Sequence, residues 1–417
     1  MKKARKFLLV LIVLLIAIST FTYLINSSYK EKIQNNKGEV YAGSEACRTC
    51  HATIYDSFAV TSHFNDSHLP SDKTIKGSFE KDHNYILFNY DFKNIVVMEK
   101  HEKQFFQTSY IDDKKSISKP FDIVIGSGTK GQSYLYWEKN SLFQLPVSYF
   151  TPTDSWMNSP GYSTTAVNFN RVITLRCLEC HTTFVETEID KEKVKLNKLS
   201  SDKMILGIGC ERCHGPAQKH VSFQTENPSS KIAKYIINPK KMSSFQQMNS
   251  CGLCHAGPAK STQPAFSFSA GDTLEKYFDL PNLVDSSADV HGNQYQLISA
   301  SKCFLKSEGM NCSTCHNTHN NERGNLALFS TRCMTCHSEQ NHTMCSMKDK
   351  IGNSIKENCI DCHMPNNPSK NLVIQNSSFE TPIPAMVRTH LIKIYPEQSK
   401  KIINYMVSDS NRKSKSE

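Results

Sequence analysis

The five-residue pattern C-x-x-C-H occurs seven times in this chain of 417 residues. The seven copies use fourteen of the sixteen cysteines and seven of the sixteen histidines. Random placement of these residues at the same composition would give about 0.02 copies. Disulfide scaffolds are short chains in which no histidine has to follow the cysteines, so that class of protein is excluded. A hydrophobic content of 38% with 10% aromatic residues also excludes a disordered chain.

Each copy has the chemistry and the spacing to attach one haem. Two thiols three residues apart lie on one side of a helical turn, where both can add to vinyl groups of the same porphyrin. The histidine that follows presents its imidazole to the iron as the proximal axial ligand. We therefore predict seven covalently attached haem c groups, in preference to zinc or redox cysteine pairs, which need no such histidine. The sets are motif 1 (Cys47, Cys50, His51), motif 2 (Cys177, Cys180, His181), motif 3 (Cys210, Cys213, His214), motif 4 (Cys251, Cys254, His255), motif 5 (Cys312, Cys315, His316), motif 6 (Cys333, Cys336, His337) and motif 7 (Cys359, Cys362, His363).

Nine histidines outside the motifs decide the sixth ligand of each iron. A second imidazole closes an iron to substrates, whereas a vacancy opens it. His83 and His101 lie in a stretch without motifs and are interpreted as ordinary surface or core residues. The remaining seven histidines equal the irons in number. The predicted distal ligands are His63, His68, His220, His291, His319, His342 and His390.

Local spacing constrains some of these ligands. His319 follows His316 by three residues on nearly the same helix face, so we expect it to reach an adjacent haem rather than the iron of its neighbour. The same reasoning applies to His220, just after motif 3. At least one of His63 and His68 is expected to be a ligand. If the other is not, one iron is five-coordinate or takes Met, Tyr or Lys.

Two cysteines remain outside the motifs. Cys303 and Cys345 form one disulfide or stay as two buried thiols, and the sequence leaves both alternatives open. Met364 follows motif 7 and is interpreted as a packing residue. The chain contains no G-x-S-x-G, phosphate-loop or H-E-x-x-H pattern, so no catalytic residue is assigned.

The residue composition, and with it the predicted secondary structure, changes several times along the chain. Aromatic and β-branched runs separated by Asn, Asp, Gly and Lys clusters indicate antiparallel strands between motifs 1 and 2. The irregular motif spacings after residue 172 exclude a solenoid repeat, and we expect short helices and irregular coil around packed haems there. The predicted segments are 1–25 (membrane anchor or signal), 26–42 (linker), 43–74 (first haem segment), 75–165 (β-rich module), 166–395 (six-haem cytochrome domain) and 396–417 (polar tail).

The N-terminus predicts export. A basic cluster precedes an apolar stretch from Phe7 to Ile25, which is close to the roughly 20 residues needed to cross a bilayer. We favour an uncleaved anchor, while Ala17-Ile18-Ser19 keeps signal cleavage open. The basic residues should stay in the cytoplasm, so the motifs lie on the periplasmic side of the bacterial inner membrane, where haem is attached.

The formal net charge of +10 would suit nucleic acid or an anionic membrane surface. Seven ferric haems with their propionates contribute about −7, so the oxidised holoprotein lies near +3. No basic tract has interleaved aromatic residues, and we expect no nucleic-acid partner. The expected partners are redox proteins, including a membrane respiratory complex, with the membrane contacted through the N-terminal segment.

Two stretches resemble the cytochrome c-554 and cytochrome c′ type of multihaem proteins. They are the lead-in Tyr41–Cys47, followed by Thr61-Ser62-His63, and the segment Gly207–Ala217 followed by His220. The resemblance implies tightly packed haems, ligation by two histidines and electron transfer. In related hydroxylamine-oxidising and nitrite-reducing enzymes one haem is open, but the C-x-x-C-K pattern of many nitrite reductases is missing here.

A wider resemblance covers 122–364 and is shared with a larger set of bacterial multihaem cytochromes. Its markers are Leu145–Phe150, Asp289–Gln294 and Ser299–Cys303. The favoured function is therefore an anchored periplasmic heptahaem electron carrier. The alternatives are an oxidoreductase with one open haem that acts on a small nitrogen or sulfur oxyanion, and a scaffold subunit whose β-rich module binds a partner.

Overall fold

The computed structural model of the chain describes residues 32–89, 91–188, 198–257, 259–280, 288–341, 344–377 and 381–413, together with Ile12 and Leu14. The predicted membrane anchor or signal at 1–25 lies outside these ranges except for those two residues, and so does the candidate ligand His342. No helix among the described residues combines the length and apolar character needed to cross a membrane.

Twelve α-helices occur in the described chain, most of them short, and many contain all or part of a motif. Motif 4 ends the helix that begins after Ser243, whose side chain and that of Gln246 form a capping box. The helices are α1 (Ser44–Ala59), α2 (Leu175–His181), α3 (Cys210–His214), α4 (Gln218–Glu226), α5 (Ser244–His255), α6 (Gln294–Ser299), α7 (Lys302–Lys306), α8 (Cys312–Cys315), α9 (Leu326–Met334), α10 (Lys348–Ile351), α11 (Ile360–His363) and α12 (Pro396–Lys413).

Antiparallel strands make up most of the remaining regular structure. Those between motifs 1 and 2 are β1 (Ser67–His68), β2 (Tyr85–Phe88), β3 (Asp91–His101), β4 (Gln104–Ile111), β5 (Lys114–Pro120), β6 (Ile123–Ile125), β7 (Gly131–Glu138), β8 (Ser141–Gln144), β9 (Val147–Phe150), β10 (Ser155–Asn158) and β11 (Arg171–Val172). Those after motif 2 are β12 (Thr182–Glu188), β13 (Lys198–Leu206), β14 (Lys260–Ser261), β15 (Phe278–Asp279), β16 (Asn366–Ile374) and β17 (Ile383–Arg388).

The strands between motifs 1 and 2 form two sheets, which confirms the predicted β-rich region. One sheet has four strands in the order β2-β3-β4-β5. The other has seven, with the path β1-β6-β7-β8-β11, while β9 pairs with β7 and β10 pairs with β9. Strand β1 follows α1 closely, so the sheet reaches directly to the chain that leaves motif 1.

An aromatic cluster fills the interior of this β-rich region. The rings of Phe121 and Tyr134 stack with centroids 4.3 Å apart, and Trp156 packs edge-on beside them. The indole N–H of Trp156 donates to the carbonyl of Ser78 at 2.7 Å. Gly77 allows this approach, since a Cβ there would lie 2.1 Å from the indole ring. Tight aromatic packing thus gives the region a core of its own.

A second core joins the β-rich region to the part of the chain that follows it. Leu178, between the cysteines of motif 2, is 1% exposed and packs against the seven-stranded sheet. The segments predicted on either side of residue 165 therefore share a core, and the sheet supports motif 2 directly. The buried members are Ile123, Leu135, Leu142, Leu178, Phe184, Val185, Leu199 and Phe266.

The structure differs from the prediction of helices and coil after motif 2. Strands β12 and β13 form a hairpin immediately after motif 2, and β16 and β17 form another after motif 7. Pro368 interrupts β16, and the register of β12 against β13 is irregular, so the sequence did not reveal these hairpins. Asp289 holds the second hairpin, because its carboxylate accepts hydrogen bonds from the Ser369 hydroxyl and the Lys370 amide.

The predicted polar tail is largely helical. Helix α12 packs against α11, and the hydroxyl of Ser399 donates to the carbonyl of Cys362 at 3.3 Å. The C-terminal segment therefore covers motif 7. Charged residues at helical spacing allow one face of such a helix to pack while the other stays polar.

Candidate metal centres

The seven motifs form one connected cluster. Cysteines from different motifs lie beside one another in four pairs. The pairs are Cys47 with Cys210, Cys180 with Cys254, Cys251 with Cys312, and Cys333 with Cys359. Electrostatic interactions of Cys213 with Cys251 and of Cys315 with Cys336 add the links from motif 3 to motif 4 and from motif 5 to motif 6. A continuous path of neighbouring motifs therefore runs through the protein.

Three motif histidines each face a histidine from elsewhere in the chain, with 6.2 Å between ring centroids in every case. The pairs are His63 with His255, His214 with His319, and His316 with His390. A metal–imidazole nitrogen bond of about 2 Å, followed by about 1.1 Å from nitrogen to ring centroid, places two axial imidazoles about 6.2 Å apart across one metal ion. The separation of the rings is thus the one that opposite ligands of a single metal require.

The charge state of the facing rings suits metal binding. Burial lowers the pKa of His255 and of His390 to about 4, so both are neutral at pH 7 and keep a nitrogen lone pair for a metal. Burial also lowers the pKa of His63. Among the described residues, Nδ1 of His390 is buried without a hydrogen-bond partner.

Hydrogen bonds at Nδ1 fix the orientation of other rings. The Nδ1 of His214 lies 2.9 Å from the carbonyl oxygen of Ile237, and the Nδ1 of His363 lies 3.0 Å from that of Lys393. Because a carbonyl only accepts, each Nδ1 carries the hydrogen and leaves Nε2 for a metal. His220 uses the same arrangement, with its Nδ1 2.8 Å from the carbonyl of Lys234.

The remaining predicted ligands do not share the ring separation of the three facing pairs in the described part of the chain. His291 interacts electrostatically with His181. Neither His68 nor His220 faces a motif imidazole at 6.2 Å within the described part of the chain. His68 has its Nε2 3.4 Å from the carbonyl of Thr74, and its buried Nδ1 has no partner among the described residues. His101 is exposed, as expected of a histidine without a ligand role.

Two acidic residues inside the motifs are structural features that the sequence analysis missed. The Glu211 carboxylate accepts hydrogen bonds from the amides of Ala42, Gly43 and Ala217, at 2.8, 2.9 and 2.7 Å. Burial raises the pKa of Glu211 although these amides oppose the shift. Glu179 in motif 2 is 2% exposed. The sequence signal that could have revealed them is an acidic residue between the cysteines of two successive motifs, 2 and 3.

The two cysteines outside the motifs are free thiols. Cys303 interacts electrostatically with Cys336 of motif 6, and Cys345 does so with Cys362 of motif 7. Of the two alternatives, a disulfide or two thiols, the structure has the thiols.

The donor set fits a haem better than a bare metal ion. No group of three or more His, Cys, Asp or Glu side chains in the described chain converges to hold a metal. Two facing imidazoles supply the axial ligands that a porphyrin iron needs, and the ring nitrogens of the porphyrin supply the other four.

Two comparisons with known proteins found similar cytochromes. The family described as "Cytochrome c554 and c-prime" matches residues 154–215, which contain motifs 2 and 3. The chain is also similar to a solved structure, the outer cell wall cytochrome OcwA, at 16% identity and a TM-score of 0.53. That match covers 87% of this chain and 82% of the other. The chain is a multihaem c-type cytochrome. No significant match to the cytochrome was found among curated proteins. Its class implies covalently bound haem c.

Proposed function

We propose that this cytochrome carries electrons along seven covalently attached haems, most of which are closed by two imidazoles. The observation that carries the proposal is the common 6.2 Å separation of the three facing histidine pairs. An iron with two imidazole ligands exchanges electrons without binding a substrate. Each haem supplies the redox centre, and the protein supplies attachment, orientation and surroundings.

The geometry supports specific roles for the histidines. His63 closes the iron of motif 4, His319 that of motif 3, and His390 that of motif 5. We assign His291 to motif 2 from its interaction with His181. We assign His68, His220 and His342 to the irons of motifs 1, 6 and 7, without pairing each histidine with one motif.

The links between motifs support transfer over the whole cluster. Motif 4 lies beside motifs 2, 3 and 5, motif 1 lies beside motif 3, and motifs 5, 6 and 7 follow in order. Motifs in contact bring their haems within a short distance of one another. An electron that enters at one end therefore has a continuous path, and no motif is isolated.

The proposal includes an exported location. Haem attachment through thioethers takes place outside the cytoplasm, and residues 1–25 have the composition of an anchor or a signal. We propose a position on the periplasmic side of the inner membrane, with redox proteins such as a respiratory complex as donor and acceptor. Nucleic acid is not among the proposed partners.

An oxidoreductase acting on a small nitrogen or sulfur oxyanion is the second candidate. Such an enzyme needs one iron with an open sixth position. Because His68 and His220 do not face a motif imidazole in the described residues, an iron assigned to either of them is where a substrate would bind.

Intact-protein mass spectrometry of the exported protein tests the cofactor content directly. We expect a mass that exceeds the polypeptide by seven haems, and pigment that acid–acetone does not extract. A smaller number of covalent haems would contradict the attachment at one or more motifs. Replacement of Cys359 and Cys362 by Ser should lower the count by one and identify motif 7 as an attachment site.

A further inference from the structure

The histidine of motif 2 is hydrogen-bonded to a carboxylate. Nδ1 of His181 lies 2.8 Å from Oδ2 of Asp66, a residue far away in sequence. If Nε2 of His181 binds iron, as in the proposed function on which this inference rests, Nδ1 carries the hydrogen and donates it to Asp66.

Other motif histidines have a different acceptor. His214 donates to the carbonyl of Ile237 and His363 to the carbonyl of Lys393. A backbone carbonyl carries only a partial negative charge, whereas a carboxylate carries a full one and accepts a stronger hydrogen bond. The environment of His181 is therefore more electron-rich than that of the two histidines compared with it.

The fold holds this carboxylate firmly in place. The amide of Gly126 donates to the backbone carbonyl of Asp66 at 2.6 Å, at the point where the chain enters β1. The next residue, Ser67, donates its hydroxyl to the backbone carbonyl of His181 at 2.6 Å and accepts from the amide of Gly207 at 2.8 Å. Asp66 thus hydrogen-bonds to the ring of His181, and Ser67 hydrogen-bonds to its backbone.

A carboxylate acceptor changes the reduction potential of the iron through the imidazole. As the Nδ1 hydrogen is drawn toward Asp66, the ring gains imidazolate character and donates more electron density to the iron. The added electron density stabilises ferric iron more than ferrous iron, because ferric iron has the higher charge. The reduction potential of the haem therefore falls. Asp66 also interacts electrostatically with His63 and His255, the facing pair at motif 4.

We propose that Asp66 is a positioning residue that lowers the reduction potential of the motif 2 haem below those of the motif 3 and motif 7 haems. In each transfer step one iron loses an electron and its neighbour gains it, and the hydrogen stays between His181 and Asp66. The haem at motif 2 is then among the last to be reduced. The motif 2 haem then passes its electron readily to the haem of motif 4, whose Cys254 lies beside Cys180.

Spectroelectrochemical titration of the full holoprotein tests the proposal. Asp66→Asn removes the charge but keeps an oxygen acceptor, and about one seventh of the absorbance change should move to higher potential. The motif 4 haem should shift less in the same direction, because Asp66 also interacts with its facing histidines. Asp66→Glu, which keeps the charge, should restore much of the low-potential portion. The matched control is Asp72→Asn, which makes the same charge change at an exposed ion pair with Lys100 and should leave the titration curve unchanged.

The outcomes separate this inference from the proposed function. A variant Asp66→Asn with seven haems, low-spin irons and an unchanged titration would overturn the role of Asp66 and leave the electron carrier intact. Fewer than seven haems in the unaltered protein would instead count against the proposed function.

A measurement on the unaltered protein covers the case in which Asp66→Asn does not fold. One low-spin signal should then show the smaller g anisotropy of an imidazolate-like ligand. If every low-spin signal has the anisotropy of neutral imidazole, the inference is wrong.

Discussion

His316 of motif 5 and His390 face each other with 6.2 Å between their ring centroids, although they come from distant parts of the chain. The Ser301 hydroxyl, which donates to the backbone carbonyl of His390 at 3.0 Å, holds the second histidine in position. The C-terminal region thus folds back to complete a site in the middle of the cluster. Tertiary structure, and not the spacing of the motifs, determines which imidazole meets which iron.

Replacement of His319 by Ala should open the iron of motif 3. The variant should keep its haem count, because the thioether bonds to motif 3 are untouched, and low-temperature EPR should show one high-spin ferric site. His101→Ala is the control, since His101 is a surface histidine with 65% of its side chain exposed. Loss of a whole haem in His319→Ala would show that this histidine has a different role.

Replacement of Glu211 by Ala should loosen the chain that leads into motif 1. The change leaves the part-buried amides of Ala42 and Gly43 and the buried amide of Ala217 without their acceptor. Each such loss costs about 1–3 kcal/mol when water cannot replace it. We expect a lower thermal unfolding midpoint, measured by circular dichroism on the holoprotein. Glu226→Ala, an exposed change at the end of α4, should have little effect. Equal midpoints for the two variants would contradict this role.

Replacement of Gly77 by Ala should destabilise the β-rich region. The new methyl group would overlap the Trp156 ring, and overpacking of this kind typically costs about 1–3 kcal/mol. Chemical denaturation followed by circular dichroism measures the loss. Addition of Trp156→Phe removes the overlapping atoms and should make the added cost of the alanine smaller. An alanine variant as stable as the parent protein would show that the ring has space to move.

The β-rich region should lose stability in acid through Glu99. Burial raises the pKa of this carboxylate, but the hydrogen bonds from Thr108 and Tyr110 outweigh it and leave the pKa below its usual value. A depressed pKa stabilises the fold above the pKa of the unfolded chain, about 4.3, and that contribution disappears as the pH falls through the folded value. Glu99→Gln should therefore unfold with a smaller pH dependence below about pH 4. An unchanged acid profile would contradict the prediction.

The sequence predicted local features well and distant contacts poorly. The spacing within motifs 2 and 3 indicated helical turns, and the structure has helices at both places. The β-rich region could also be predicted, because its aromatic and β-branched runs are separated by Asn, Asp, Gly and Lys clusters. The helix-face argument for His319 is wrong in its premise, because the helix of motif 5 ends at Cys315 and His316 has an extended backbone. His319 nevertheless faces a histidine of another motif, His214, which the sequence offered no means of selecting.

Contacts across the chain explain what the sequence could not predict. The hydrogen bond between Asp66 and His181 spans 115 residues and depends on the register of β1 against β6. The hairpins after motifs 2 and 7 are held partly by tertiary contacts such as those of Asp289, and not by alternation alone. Strands of this kind form because neighbouring elements satisfy their backbone groups.

Low-temperature EPR of the fully oxidised cytochrome tests the central claim most directly, because it counts the open and closed irons together. If the facing imidazoles are axial ligands and the protein is an electron carrier, the spectrum should contain low-spin ferric signals alone, and they should integrate to seven irons per chain. A high-spin ferric signal of one haem equivalent or more in the unaltered protein would contradict that account and favour an oxidoreductase with an open haem.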